Sequence, residues 1–401
     1  MSNIHHITLP KGFLAAGVKC GIKTSGLEDL AIVAAEKDAS CALLTTQNQV
    51  VGAPVLWCRS ILPRGYGKCR GIVVNSGCSN VCTGLPGLKD AQTMAAMTAA
   101  KLGASPRKVL VASTGIIGHR LPMAKIRAGI AAAALRLARD NDAAVLRAIM
   151  TTDTREKFAV VRTRIADRAV TVAGIVKGAG MIAPCVATMI SVITTDAAVA
   201  PAALHKALTA AAAISFNALT IDSDTSTSDT VAAFASGAAG NRPITAGSPA
   251  FKRFAAALSE VCLALARAVA ADGEGATKLI EVRVRRARSA ADAKIAARSV
   301  ADSPLVKTAV HGCDPNWGRI VMALGKSAAK VDPHRLKVSI GPVTVFARGC
   351  GRTFDSAKVS RYLAGSCVTI SCDLGLGGGS FTALTCDLSR DYIAINADYH
   401  T

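Results

Sequence analysis

Aromatic side chains make up only 4% of the 401 residues, with two tryptophans and four tyrosines. That is too few for a surface on which nucleic-acid bases could stack in series. Acidic residues are scarce too: 27 Asp and Glu face 47 Lys and Arg, a formal net charge of +20. Such an excess favours polyanions or acidic small molecules. The basic residues are nevertheless dispersed, the densest group being Arg283, Arg285, Arg286 and Arg288. A solvated basic surface that attracts acidic small molecules is expected, without a nucleic-acid partner. No uninterrupted apolar run approaches the roughly 18 residues of a membrane span. The opening MSNIHHITLPKGF lacks the basic-then-apolar plan of a secretory signal. These absences predict a soluble, cytoplasmic protein with no membrane partner. The 13 cysteines are odd in number and form no CxxC pair, Cys78 and Cys82 being the nearest spacing. Neither a disulfide framework nor a zinc module is supported, and most cysteines read as small buried hydrophobes. No GxSxG elbow or HExxH helix is present, and the seven histidines are scattered.

What is abundant is small and apolar. Hydrophobic residues make up 51% of the chain, enough to bury a large core in two or three domain-sized units. Phe254, Leu258, Val261, Cys262, Leu265 and Val269 recur at steps of three and four, one face of a helix that Gly273 ends. Leu279, Ile280, Val282 and Val284 alternate with Glu281, Arg283 and Arg285, which predicts a strand with one face in water. Further helices are expected over 89–102, 123–150, 201–215 and 290–301. Further strands are expected near 71–75, 108–113, 168–176, 189–195, 229–236, 337–347, 366–372 and 381–386. Strands follow strands and helices follow helices too often for a strict βαβ repeat, so the expected class is α+β with layered sheets and helices.

The stretch Lys177 to Asp196, KGAGMIAPCVATMISVITTD, carries the most specific chemistry. Gly178 and Gly180 permit backbone conformations that side chains forbid, just before a small apolar lead and a run that reads as a buried strand. One reading is a glycine turn feeding a core strand. The sharper one is a strained Ala187–Thr188 peptide whose threonine hydroxyl attacks the preceding carbonyl, so that the chain cuts itself. Thr188 would then be a new N-terminus. Its α-amine, with an ordinary pKa of about 7.7–8.0, could act as base for its own hydroxyl without help from histidine.

Several segments, in order, extend the pattern: VVNSGCSNVCTG from Val73, ASTGIIG from Ala112, MTTDT from Met150, TSTSDT from Thr225, EGATK from Glu274, DPNWGR from Asp314 and TCDLSRDYIAINADYHT from Thr385. Over essentially its whole length the chain resembles the ornithine acetyltransferases, also called glutamate N-acetyltransferases, of arginine biosynthesis. The resemblance implies cleavage at Ala187–Thr188 into fragments 1–187 and 188–401, with Thr188 as nucleophile and Thr114 and Gly115 as the oxyanion pair. It implies that Thr151, Lys177, Thr188, Glu274, Asn396 and Thr401 hold the amino-acid substrate, with Thr152 an equal candidate beside Thr151. The implied reaction moves acetyl from N2-acetylornithine to glutamate by ping-pong transfer, with acetyl-CoA an open second donor. No metal or organic cofactor is implied. The implied fold is like that of the N-terminal-nucleophile hydrolases, and the implied assembly is a heterotetramer of two α and two β fragments. Departures from the family pattern are Cys185 for a small polar residue, Ser228 for asparagine, Ser223 for glycine and Glu156 for proline. Two other readings stand beside this one: a self-processing aminopeptidase or amidase, and a basic binding protein whose threonine segment is only structural.

Overall fold

An apolar run without alternation needs cover on both faces, and the strand Ile190–Thr195 has it. In the computed structural model, Ile190 and Val192 join one hydrophobic cluster while Met189 and Ile193 join another on the opposite face. The structure describes residues 6–183 and 189–398. The sheet around this strand contains β1 (Phe13–Val18), β2 (Leu30–Thr45), β3 (Tyr66–Cys78), β4 (Val109–Ile116), β5 (Phe158–Ile165), β6 (Arg168–Lys177), β7 (Ile190–Thr195) and β8 (Thr230–Ala235). Its order is β4-β3-β2-β8-β7-β6-β5, with β1 paired to β2. One face is covered by α1 (Ala53–Ile61), α2 (Gly84–Lys101), α3 (Met123–Leu135) and α4 (Asp142–Ile149). The other carries α5 (Pro201–Ile214) and α6 (Ala250–Ala271). By length and composition α6 could cross a membrane, but half of its most apolar stretch is buried and it packs on α5, β5 and β6.

A second sheet follows, of β9 (Leu279–Ala287), β10 (Lys337–Ile340), β11 (Val343–Ala347), β12 (Cys350–Gly351), β13 (Cys367–Asp373) and β14 (Gly379–Cys386). Its order is β12-β11-β10-β13-β9-β14. Its helices are α7 (Ala290–Ala301), α8 (Pro304–His311), α9 (Trp317–Gly325) and α10 (Ser356–Leu363), and α11 (Arg390–Asp398) follows β14. Ser289, Ser303, Asn316 and Asp355 each cap a helix start by accepting a backbone N–H, with Pro304 opening α8. The layered α+β class expected from the sequence is the one observed.

Three expectations need correction. The helix expected over 123–150 is broken between α3 and α4, because Ala138 pairs with Ala15 and the Thr8 hydroxyl donates to the Arg139 carbonyl. The strand expected over 337–347 is a hairpin, turned by Gly341 at φ +55°. Glu281 does not face water. It is 2% exposed, and its carboxylate is held by Arg267 and Arg283, each at 2.6 Å. The strand's expected wet face is therefore closed at that position by two arginines reaching in.

Candidate active site

Strand β4 runs parallel to β3, and Gly115 lies opposite Gly77. A Cβ at Gly115 would come within 2.4 Å of the Gly77 carbonyl carbon, and its φ is +123°. Only glycine fits there, so the backbone of residue 115 can approach a reacting group. Thr114, one residue earlier, is buried, and its hydroxyl oxygen accepts a hydrogen bond from Lys177 Nζ at 3.2 Å. Because a lysine ammonium only donates, this contact occupies a threonine lone pair and leaves the threonine proton free to point elsewhere.

Lys177 is the last residue of β6 and pairs in register with Ile190 of β7. It is buried at 2% exposure. Burial pushes its ammonium below the usual lysine range and nearby Lys157 adds to this, while Asp153, Glu274 and Asp229 oppose it. Beyond it, a Cβ on Gly180 would lie 2.2 Å from Glu274 Oε2, so the glycine makes room for that carboxylate against the backbone. Glu274 is itself buried, donates its N–H to the Ala179 carbonyl at 2.8 Å, and accepts from Asn396 Nδ2 at 2.8 Å.

These residues share one cavity of about 420 Å³. Thr114, Gly115, Thr151, Lys177, Glu274 and Asn396 all line it, drawn from β4, the α4–β5 connection, β6, the loop after α6 and helix α11. Thr152 lines it as well, so the structure keeps both adjacent threonines at the wall. Ala187, Thr188, Thr401 and Cys185 lie outside the described residues.

The chain on either side of 184–188 is held by two aspartates. Asp222 accepts the N–H groups of Met181 at 2.6 Å and Ile182 at 2.8 Å. Asp229 accepts the Met189 N–H at 3.1 Å, while its other oxygen, Oδ2, is buried without a hydrogen-bond partner among the described residues. Burial raises both carboxyls above the usual range, Asp229 strongly, against the pull of those N–H groups. Asp222 also lines the cavity, as does Tyr392.

Comparison with known proteins gives the family. The sequence matches the ArgJ family over residues 14–401. The chain belongs to the ArgJ family. It is 45% identical to the arginine biosynthesis bifunctional protein ArgJ of Geobacillus kaustophilus, covering 98% of this chain and 96% of that one. A solved chain of Bacillus halodurans ArgJ is 41% identical with a TM-score of 0.50, over 51% of this chain and 97% of that chain. The ornithine acetyltransferase of Mycobacterium tuberculosis, solved with ornithine, is 37% identical with a TM-score of 0.40, over 47% of this chain and 98% of that chain.

Several cavity residues of this ArgJ-family chain escaped the sequence reading. Asp222, Tyr392 and the wall Thr225–Ser228 carried no assigned role, although TSTSDT was noted as a segment. The only available signal was acid and hydroxyl density between Asp222 and Thr230, which looks like an ordinary polar loop. Ser223 has φ +70°, in the left-handed region, where glycine would be accommodated with less strain than a side-chain-bearing residue.

Proposed function

We propose that this chain, an arginine-biosynthetic acetyltransferase, cuts itself between Ala187 and Thr188 and then carries acetyl on the Thr188 hydroxyl. The observation that carries the reading is the gathering of Thr114, Gly115, Thr151, Lys177, Glu274 and Asn396 around one cavity that Met181 and Asp222 also line, with the chain at 181–182 and at 189 held by Asp222 and Asp229. The half-length Bacillus halodurans chain, 97% covered by 51% of this one, supports a division of family members into two pieces.

In this account the Thr188 α-amine takes the hydroxyl proton as the oxygen attacks the acetyl carbon of N2-acetylornithine. The tetrahedral oxyanion receives hydrogen bonds from the Thr114 hydroxyl and the Gly115 N–H. Lys177 supports the first of these by filling a Thr114 lone pair. Collapse of the intermediate breaks the C–N bond, the departing ornithine amine takes the proton, and the acetyl remains as a threonine ester. The glutamate amine then attacks that ester, and the same groups serve in reverse order. Lys177 pairs with the substrate α-carboxylate, Glu274 with an ammonium, and Thr151, Asn396 and Thr401 fix orientation. No step calls for a metal or an organic cofactor. Fragments 1–187 and 188–401 remain associated, two of each form the assembly, and a cytoplasmic setting suits small charged substrates. Acetyl-CoA is a second candidate donor.

Denaturing electrophoresis of the purified protein tests the cut. Two pieces are expected, the second beginning Thr-Met-Ile-Ser, and both should travel together under native conditions. Thr188→Ala should leave one full-length chain. Cleavage of that variant at the same bond would remove Thr188 from the role of autolytic nucleophile.

A further inference from the structure

The segment MTTDT supplies more than a threonine to the cavity wall. Asp153, at its fourth position, has a fully buried side chain. Its Oδ1 accepts the Gly178 N–H at 2.6 Å and Lys157 Nζ at 2.6 Å, and its Oδ2 accepts the Thr151 N–H at 3.0 Å. One carboxylate thus ties the backbone of Thr151 to the peptide immediately after Lys177. Lys157, equally buried, continues to Asp272 Oδ2 at 2.5 Å. Asp272 in turn accepts the Thr154 N–H at 3.1 Å and the Thr154 hydroxyl, and sits two residues before Glu274. Three points on the cavity wall, at Thr151, Lys177 and Glu274, are therefore connected through a Lys157 bridge between two aspartates that the cavity itself does not expose.

Burying such a cluster is a poor way to gain stability, since desolvation of paired charges offsets most of their attraction and apolar replacements often do as well. A functional reason is the better account. We propose that Asp153 is the positioning residue of the substrate site: by binding the Thr151 and Gly178 N–H groups together it fixes Lys177 against Thr151, so that the lysine side chain is held in place for a substrate carboxylate. The inference rests on the reading of Lys177 as that carboxylate anchor.

The charges facing Lys177 favour this assignment. Burial and the Lys157 ammonium lower the Lys177 affinity for a proton, whereas the Asp153 carboxylate opposes them most strongly, with Glu274 and Asp229 adding less. Lys23 is a further cation close enough to feel both Asp153 and Lys177. Asp153 itself is pushed up by burial, but Lys157, Lys177 and the Gly178 N–H more than reverse this and hold it below the usual carboxylate range. It is therefore a carboxylate at neutral pH, and the sign of its effect is fixed. Lys177 is protonated below its folded pKa and loses its charge as pH rises through it. Removing the Asp153 charge brings that loss to lower pH.

Asp153→Asn in the self-processed enzyme tests this, with Lys177→Met alongside. Asn keeps one acceptor and the size of the side chain but not the charge. The KM for N2-acetylornithine and for glutamate should rise at least about tenfold, and the alkaline limb of kcat/KM should move down by roughly one pH unit. Lys177→Met should raise both KM values and abolish the limb. If Lys177→Met retains wild-type KM, the anchor reading fails. If Lys177→Met loses binding while Asp153→Asn keeps both KM and limb, the Asp153 proposal alone is overturned. Should Asp153→Asn not fold, Asp153→Glu carries the test, because it retains the charge but displaces the carboxylate by one methylene. A raised KM with an unmoved limb is then expected, and wild-type KM overturns the proposal.

Discussion

At the scale of single residues, the proposed oxyanion site is a matter of which atoms are left with something to donate. Thr114 has one proton and two lone pairs, and Lys177 at 3.2 Å takes up a lone pair. The proton is thereby available for a charge that develops only during acetyl transfer. Thr114→Ala should lower the chemical rate by about 10²–10³-fold with much less effect on substrate binding, because the lost interaction strengthens in the transition state. Single-turnover release of ornithine measures this, and an unchanged rate would place the oxyanion elsewhere. The six cavity residues are named through the family resemblance, since taken alone Thr114–Gly115, Lys177 and Glu274 read as an ordinary strand end, a surface lysine and a solvated residue after a helix; the fold brings all six to one wall. Asp153 and Asp222 were not legible in the same way. Each acts by accepting backbone N–H groups, from Thr151 and Gly178 or from Met181 and Ile182, and a sequence does not say which N–H groups a fold will leave unpaired.

At the scale of elements, periodicity gave α7 at its observed bounds, Ala290–Ala301, and β7 to within a residue. It failed where tertiary pairing overrode it. The apolar spacing of 123–150 runs straight through the break at Ala138, which exists only because β1 passes alongside. Strand β2 was missed because Glu36, Lys37 and Asp38 interrupt it. Those residues occupy an irregularity in its pairing with β3, between Ala34 and Ala39, and from sequence they look like a turn. Helix α11 is a different case. None of its described residues is buried, so its seat depends on polar contacts: Asn396 to Glu274 at 2.8 Å, and Ser389, just before it, to the Gly275 carbonyl at 2.6 Å. Asn396→Ala should therefore free both the helix and the Glu274 carboxylate, raising KM for the amino-acid substrates roughly tenfold, about 1.4 kcal/mol, with a smaller change in kcat. Steady-state kinetics with each substrate varied in turn would show it. A KM within a factor of two of wild type would mean that Glu274 needs no support from the helix.

At the scale of the whole molecule, the bond between residues 187 and 188 does not fall between two structural units. It falls between β6 and β7, which are neighbours in the first sheet, and β7 is paired on its other side with β8, which in turn pairs with β2. Strands on both sides of the bond share one sheet and two hydrophobic clusters, so a cut there would leave the core intact instead of separating domains. In the proposed reading the acetyl carrier is a chain end whose next residue, Met189, is held by Asp229. The central claim is that this carrier is Thr188. Incubation of the native protein with N2-acetylornithine alone, followed by mass spectrometry of its pieces, tests it most directly. The account predicts free ornithine and one acetyl group on the 188–401 fragment, located at Thr188 and discharged when glutamate is added. Ornithine released only when glutamate is present, with no acetylated fragment at any time, would contradict it and point to direct transfer between two bound amino acids.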